Sequence, residues 1–207
     1  MSGRNINAAS MGSYGASWTA AGYCGKGNVE NLIGTLRYQT VIICGNAKGV
    51  FAELNDACSL AEHPVIFAVN DVGMFLPTVH HWVSLHAAKM EHWNNVRWDS
   101  LLTIPVIHSI EEKSPIMKVW DRLTPLMALS GYFAMQIAYI MDARQIILCG
   151  CPGEARPRFF EGAMRSDFDY AGGCRDQLVA EMQRLPDFKS RVRSMSGWTK
   201  EYFWRPT

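Results

Sequence analysis

The sequence predicts an α/β fold, a Rossmann-like open and mostly parallel sheet flanked by helices, with an irregular N-terminal arm. Three segments predict it. Thr40–Cys44 is a β-branched apolar run that turns at residues 45–49 into a stretch, 50–61, with Val50, Leu54, Ala57 and Leu60 at helical spacing. Val65–Val69 is a second apolar run and ends in Asn70-Asp71. Residues 130–143 read as the strongest helix of the chain, and the apolar run 145–148 follows it and ends in Cys149-Gly150. Strands without a polar face need cover on both sides, which is the condition of a parallel sheet.

In chain order, residues 1–37 form a Gly-, Ala-, Ser- and Asn-rich arm that carries Tyr14, Trp18 and Tyr23 and shows no periodicity. Aromatic residues are rare in solvated linkers, so the arm is either a disordered tail or a docking element, for its own domain or for a second copy in a homo-oligomer. Residues 38–152 are the predicted nucleotide-binding core. His63-Pro64 closes the first helix. Residues 81–85 read as a third short strand, 87–93 as a short helix, and 102–107 as a strand whose Pro105 marks a sheet edge. Ser130 is a suitable N-cap for the helix 130–143, whose apolar face is Phe133, Ala134, Ile137, Ala138 and Met141. Residues 153–207 complete the same domain as a lid, irregular and carrying Arg156, Arg158, Phe159 and Phe160, followed by a helix over 173–184.

Composition narrows the function. With 207 residues, 48% of them hydrophobic, one domain can bury a core without disulfides or metal. Twenty basic residues against 19 acidic ones leave a net charge of +1, so nothing in the bulk charge points to a nucleic-acid backbone. Ten of the basic residues follow Gly153, but eight acidic ones are interleaved with them, as on a solvated surface. The longest apolar stretch, 133–141, contains Gln136 and is too short to span a bilayer. The six cysteines lack a secretory leader, and Cys149-Gly-Cys151 lacks a second ligand pair at zinc spacing. They read as reduced thiols packed in a cytoplasmic protein, with no metal site.

The chemistry sits at the strand ends. Gly45-Asn46-Ala47-Lys48-Gly49 has neither the GxGxxG spacing of a dinucleotide site nor the GK[ST] ending of a Walker loop, which argues against NAD and P-loop NTPase chemistry. Asn46 and Asn70 place amides at consecutive strand ends, able to bond a base, a ribose or a phosphate. Ser130-Gly131 adds a hydroxyl and a bare backbone at a helix start, where free N–H groups and the helix dipole receive an anion. Gly150 is the neighbouring strand end. Ligands of open α/β sheets lie outside the carboxyl ends of the strands near the switch in strand order.

If the bound group is transferred to a hydroxyl, some residue must take that hydroxyl's proton, and the available histidine cluster is His80, His81 and His86. In one strand, 81 and 86 point to opposite faces, so at most one reaches the site. Asp71 is an alternative base, a carboxylate near a metal, or a cap of its own turn. Arg156, Arg158 or Tyr170 in the lid would stabilise developing phosphate charge. Trp82, Trp93, Trp98, Trp120, Trp198 and Trp204 are open between stacking on a ligand and ordinary packing.

The run Val41-Ile-Ile-Cys-Gly-Asn46, the apolar strand ending in Asn70, and Ser130-Gly131-Tyr-Phe-Ala followed by Arg144-Gln-Ile-Ile-Leu-Cys-Gly150 resemble the bacterial CMP-sialic-acid-dependent sialyltransferases and the related MptE-like Rossmann proteins. The latter include flagellin-modifying glycosyltransferase relatives and hydroxymethylpterin pyrophosphokinases. The resemblance covers about residues 40–86 and 129–152. In the sialyltransferases a GNGPS motif, an Asn after the second strand and SSG or TSG before a helix hold the cytidine nucleotide. It thereby implies Gly45, Asn46, Asn70, Ser130 and Gly131 as nucleotide contacts, with Gly150 beside them. Ala47-Lys48-Gly49 stands where the family has Gly-Pro-Ser, with Lys48 available as a charge near the phosphate. The family's C-terminal histidine base has no counterpart after His108.

The expectation is a nucleotide-sugar binding protein that transfers a glycosyl group to a hydroxyl acceptor, requiring no cofactor beyond a nucleotide-sugar donor, CMP-linked by preference. Two alternatives stand beside it. One is a catalytically silent nucleotide-binding or assembly protein joined through the arm, and the other is a metal-dependent pyrophosphokinase.

Overall fold

A computed structural model of the chain describes residues 29–100, 102, 105–111, 117–120, 129–154, 156–160 and 171–206, with only the backbone of 171–173. Most of the arm, and Tyr170 in the lid, lie outside the described residues.

Among the described residues, seven strands form one sheet in the order β5-β4-β3-β2-β1-β6-β7, with every strand pairing parallel. They are β1 (Thr40–Cys44), β2 (Val65–Val69), β3 (His81–Val83), β4 (Val106–Ser109), β5 (Met117–Val119), β6 (Gln145–Cys149) and β7 (Val192–Ser194). The helices are α1 (Val50–Ser59), α2 (Ala87–Asp99), α3 (Ser130–Ile140), α4 (Ala171–Arg184), α5 (Pro186–Arg191) and α6 (Gly197–Phe203). From β1 the chain steps outward strand by strand to β5, then returns to the other side of β1 for β6 and β7. The switch in strand order therefore lies between β1 and β6.

The central strands are buried on both faces because successive side chains alternate between two cores. Val41, Ile43, Phe67, Val69, Ile146 and Leu148 belong to the core that holds α3. Ile42, Cys44, Ile66, Ala68, Ile147 and Cys149 belong to the opposite one, with Val50 and Ala57 of α1 and Met90 of α2. The single apolar face expected of α3 is an underestimate, since every residue but Gly131 is buried. Leu178 and Met182 of α4 and Phe188 of α5 share its core, and the Tyr139 and Phe188 rings stack at 4.5 Å.

Several boundaries differ from expectation. Helix α2 runs six residues past 93, because Arg97 turns inward and donates to the carbonyls of Gly73 (2.8 Å) and Leu76 (2.7 Å), anchoring the segment after β2. The strand expected over 102–107 is Val106–Ser109, and Pro105 precedes it at the entrance to an interior strand rather than marking an edge. Strands β5 and β7 and helices α5 and α6 had no counterpart in the sequence reading. Ser130 is not an N-cap: Leu129 holds that position, and Ser130 is the first helical residue. Val29 and Leu36 are buried, and Leu36 N–H donates to Met141 O (2.7 Å), so residues 29–36 pack with the core.

Candidate nucleotide site

The carboxyl ends of β1, β2 and β6 and the start of α3 open into a cleft of about 350 Å³. Its lining includes Gly45, Asn46, Asn70, His86, Ser130, Gly131, Gly150, Arg156 and Arg158 of the residues singled out in the sequence. It also includes Cys151, which follows Gly150 at the strand end expected to form the rim, Trp198, left open between stacking and packing, and Arg175 and Thr199, which sequence reasoning did not place there.

The two strand ends at the switch touch. A Cβ on Gly45 would lie 2.5 Å from Cys151 Sγ and from Gly150 O, and one on Gly150 would lie 2.7 Å from Val50 Cβ. Gly150 also takes φ +63°, a backbone state that costs a side-chain-bearing residue about 1–2 kcal/mol. Gly45 N–H donates to Cys149 O (2.7 Å) and Ala47 N–H to Gly150 O (3.1 Å), while Glu53 of α1 accepts the Gly150 N–H (2.7 Å). Burial in this tight floor pushes the Cys151 thiol up to about 12, so it is protonated at neutral pH. Helix α3 starts beside these glycines without a side-chain cap, because its N-cap Leu129 carries no side-chain acceptor and the hydroxyl of Ser130, already inside the helix, accepts from Leu85 N–H (3.3 Å). That leaves the first N–H groups of α3 for a ligand.

The two amides have different roles. Asn46 spends both ends of its amide on the fold: Nδ2 donates to Asp71 Oδ1, and Oδ1 accepts from Val72 N–H (3.3 Å). Asn70 is held in a left-handed conformation (φ +58°), its carbonyl accepting from Trp82 Nε1 (2.6 Å) and its side-chain Oδ1 accepting from Ser84 Oγ (2.8 Å). Among the described residues its Nδ2 has no partner, and Asn70 lines the cleft. Trp82 is thus a buried packing and anchoring group, not a stacking platform.

His86 lines the cleft, exposed, at the start of α2, with its N–H donating to Ser84 Oγ (2.9 Å). His81 does not line it. It is buried, with Nδ1 2.8 Å from His108 Nε2, while Trp120 Nε1 donates to His108 Nδ1 (3.0 Å). An indole can only donate, so His108 Nδ1 is the acceptor, His108 Nε2 carries hydrogen, and His81 Nδ1 accepts it. Burial favours the neutral rings, lowering His81 to about 4 and His108 well below the usual range. Asp71 sits behind the rim, receiving Asn46 and lying 3.8 Å from Arg158. Lys48 is exposed on the turn outside the cleft.

Residues 156–160 are strapped to the β1–α1 turn by backbone bonds: Lys48 N–H to Pro157 O (2.8 Å), Phe159 N–H to Asn46 O (2.9 Å) and an antiparallel bridge between Ala47 and Arg158. Across the cleft, Arg175 donates to Gly153 O (2.7 Å), pairs with Glu154 (3.7 Å) and lies 5.2 Å over the Trp198 ring. Arg156 also bonds Glu154 (2.6 Å). Three guanidiniums thus line the same cleft as the glycine rim. Among the described residues, no group of three or more His, Cys, Asp or Glu is placed to hold a metal ion, and no helix is long and apolar enough to cross a membrane.

Fold and cleft define the class: an open, all-parallel α/β protein with a cleft at its topological switch point. No protein-family model and no curated protein sequence matches the chain. Among solved structures, the fold is similar to that of the sialyltransferase CstII from Campylobacter jejuni in complex with a substrate analogue, CMP-3FNeuAc. The TM-score is 0.58 at 11% sequence identity, over 82% of this chain and 86% of that one. A likeness at that identity shows a shared fold.

Proposed function

We propose that the chain is a glycosyltransferase that takes a sugar from a nucleotide donor, CMP-linked by preference, and passes it to a hydroxyl acceptor in the cytoplasm. One observation carries the reading. The pinched glycines Gly45 and Gly150 and the uncapped start of α3 meet at the switch point, facing Arg156, Arg158 and Arg175. Bare backbone lets a phosphate approach, N–H groups bond it, and guanidiniums offset its charge. The CMP-sugar analogue bound by the structural neighbour supports the choice of donor.

In the reaction, the acceptor oxygen bonds to the sugar's anomeric carbon as that carbon's bond to the nucleotide phosphate breaks. The bonding pair leaves with the phosphate, whose charge falls to Arg158 and the α3 N–H groups. His86 takes the acceptor proton, because it is the histidine of the pair 81 and 86 that lines the cleft. Asp71, engaged by Asn46 and Arg158, serves neither as base nor as metal ligand in this reading, which disfavours the pyrophosphokinase alternative. A homo-oligomer joined through residues 1–37 belongs to the same proposal.

The test is a melting-temperature screen against CMP, CDP, UDP, GDP, ATP and their sugar conjugates, followed by turnover of the best donor. Saturating ligand raises the melting temperature by mass action. His86→Ala should retain that shift and lose turnover by about a hundredfold or more. A screen in which no nucleotide moves the melting temperature sinks the reading.

A further inference from the structure

We infer that Ser84 is a positioning residue that fixes, through one hydroxyl, both the Asn70 amide and the His86 segment. The inference rests on the nucleotide-sugar reading of the cleft and states what kind of ligand atom Asn70 can meet.

Ser84 follows β3, is fully buried and is not part of the lining of this cleft. Its backbone N–H donates to His108 O (3.1 Å), which fixes it against β4. Its hydroxyl makes two contacts, with His86 N–H at 2.9 Å and Asn70 Oδ1 at 2.8 Å. A hydroxyl has one hydrogen. The His86 N–H can only donate, so Ser84 Oγ accepts there and its own hydrogen goes to the Asn70 amide. The atom that receives it must be an acceptor, which assigns that position to Oδ1 and turns the Nδ2 amino group away from Ser84.

The Asn70 main chain cannot drift to compensate. Its left-handed conformation and the Trp82 bond to its carbonyl hold the backbone while Ser84 holds the amide. Asn70 therefore meets a ligand as a donor of two N–H groups, and the ligand atom there is an acceptor: a pyrimidine carbonyl or ring nitrogen, a ribose oxygen or a phosphoryl oxygen. The same hydroxyl sets where α2 begins and so where His86 enters the cleft. Nucleotide recognition and proton transfer share one buried support.

The experiment compares wild type, Ser84→Ala, Ser84→Cys and Asn70→Asp by calorimetric titration with CMP and by NMR of the Asn70 side-chain amide and the His86 ring. Ser84→Cys keeps the volume while weakening both hydrogen bonds. We expect each Ser84 variant to lose about tenfold or more in CMP affinity, with the ligand-free Ser84→Cys melting temperature within a few degrees of wild type. Asn70→Asp, which still accepts from Ser84 but offers the ligand no donor, should fold and fail to bind. In the ligand-free protein, both Ser84 variants should shift the Asn70 amide pair and the His86 ring signals. Wild-type affinity in Ser84→Cys, or unmoved signals in both variants, would overturn the assignment. If wild type binds no nucleotide, the nucleotide reading falls and the NMR comparison still decides the role of Ser84.

Discussion

The two walls of the cleft are built by different physics. The inner wall, at the ends of β1, β2 and β6, is set by close-packed and part-buried contacts: Gly45 against Gly150, Asn46 to Asp71 and Val72, and Asn70 to Trp82 and Ser84. The outer wall is set by half-exposed charges, with Arg156 and Arg175 sharing Glu154 and Arg158 beside Asp71. Buried hydrogen bonds are costly to leave unmade, whereas exposed ion pairs contribute little to stability and are screened by salt. The inner wall should thus fail as part of the fold, and the outer wall should fail only as part of a ligand site.

Acid is the broadest way to break that contrast. His81 titrates near 4 in the fold against 6.5 when unfolded, and His108 is lowered as well. Between those values the unfolded chain binds more protons, so stability is fully present above about pH 6.5 and falls as pH drops toward 4. His81 alone accounts for on the order of 3 kcal/mol. Because His108 O anchors Ser84, the loss reaches the inner wall. Denaturant unfolding at pH 7, 5.5 and 4.5 would show it, and an unchanged midpoint across that series would contradict the buried neutral pair.

Next in size is Gly150→Ala. The new Cβ meets Val50 Cβ and Gly45 O inside 3 Å while the backbone keeps a positive φ. Overpacking and strain together should cost about 2–3 kcal/mol, read as a lower denaturation midpoint at unchanged m-value. Gly131→Ala is the control on the same cleft. Its Cβ would meet only Cys151 Sγ at 3.7 Å, so the fold should tolerate it.

The sequence made the inner wall legible and left the outer wall largely hidden, for physical reasons. Strands β1, β2 and β6 are apolar runs without a polar face, so their existence was legible, and Gly45, Asn70 and Gly150 marked the strand ends where the cleft opens. Strands β5 and β7 are three residues long with a charged centre, Lys118 and Arg193, which leaves no periodicity to detect. Arg175 and Trp198 reach the cleft from α4 and α6 by tertiary packing, and no local motif announces that. Reading residues 81–86 as one strand set His81 and His86 on opposite faces. The strand ends at Val83, and His86 instead reaches the cleft from the start of α2.

Asn46 and Asn70 sharpen the comparison within the inner wall. Asn46→Ala takes the acceptor from the Val72 N–H and the donor from Asp71 Oδ1 at a part-buried site, leaving Asp71 only its pairing with Arg158 through Oδ2 (3.8 Å), at a cost of about 1–2 kcal/mol. Its effect on ligand binding should follow from that loss. Asn70→Asp keeps the acceptor that Ser84 needs and should leave the unfolding midpoint nearly in place while binding disappears. Equal destabilisation by the two substitutions would mean that the division of labour between these amides is wrong.

The smallest expected effect on stability is in the outer wall. Arg175→Ala removes a bond to Gly153 O and a pair with Glu154 whose side chains are both about one-third exposed, 32% each. Solvent and salt screen such a pair, so the fold should lose less than about 1 kcal/mol. The ligand should fare differently. A phosphate in the cleft would meet one guanidinium fewer, and a charge-assisted bond is worth roughly tenfold or more in affinity. Released from Arg175, the Glu154 carboxylate would remain in the cleft beside Arg156 and add repulsion. CMP affinity measured against salt concentration separates the two effects, because the wild-type constant should fall more steeply with salt than that of Arg175→Ala. Parallel slopes would place Arg175 with the inner wall, as a brace for Trp198 and Gly153 rather than a contact for the anion.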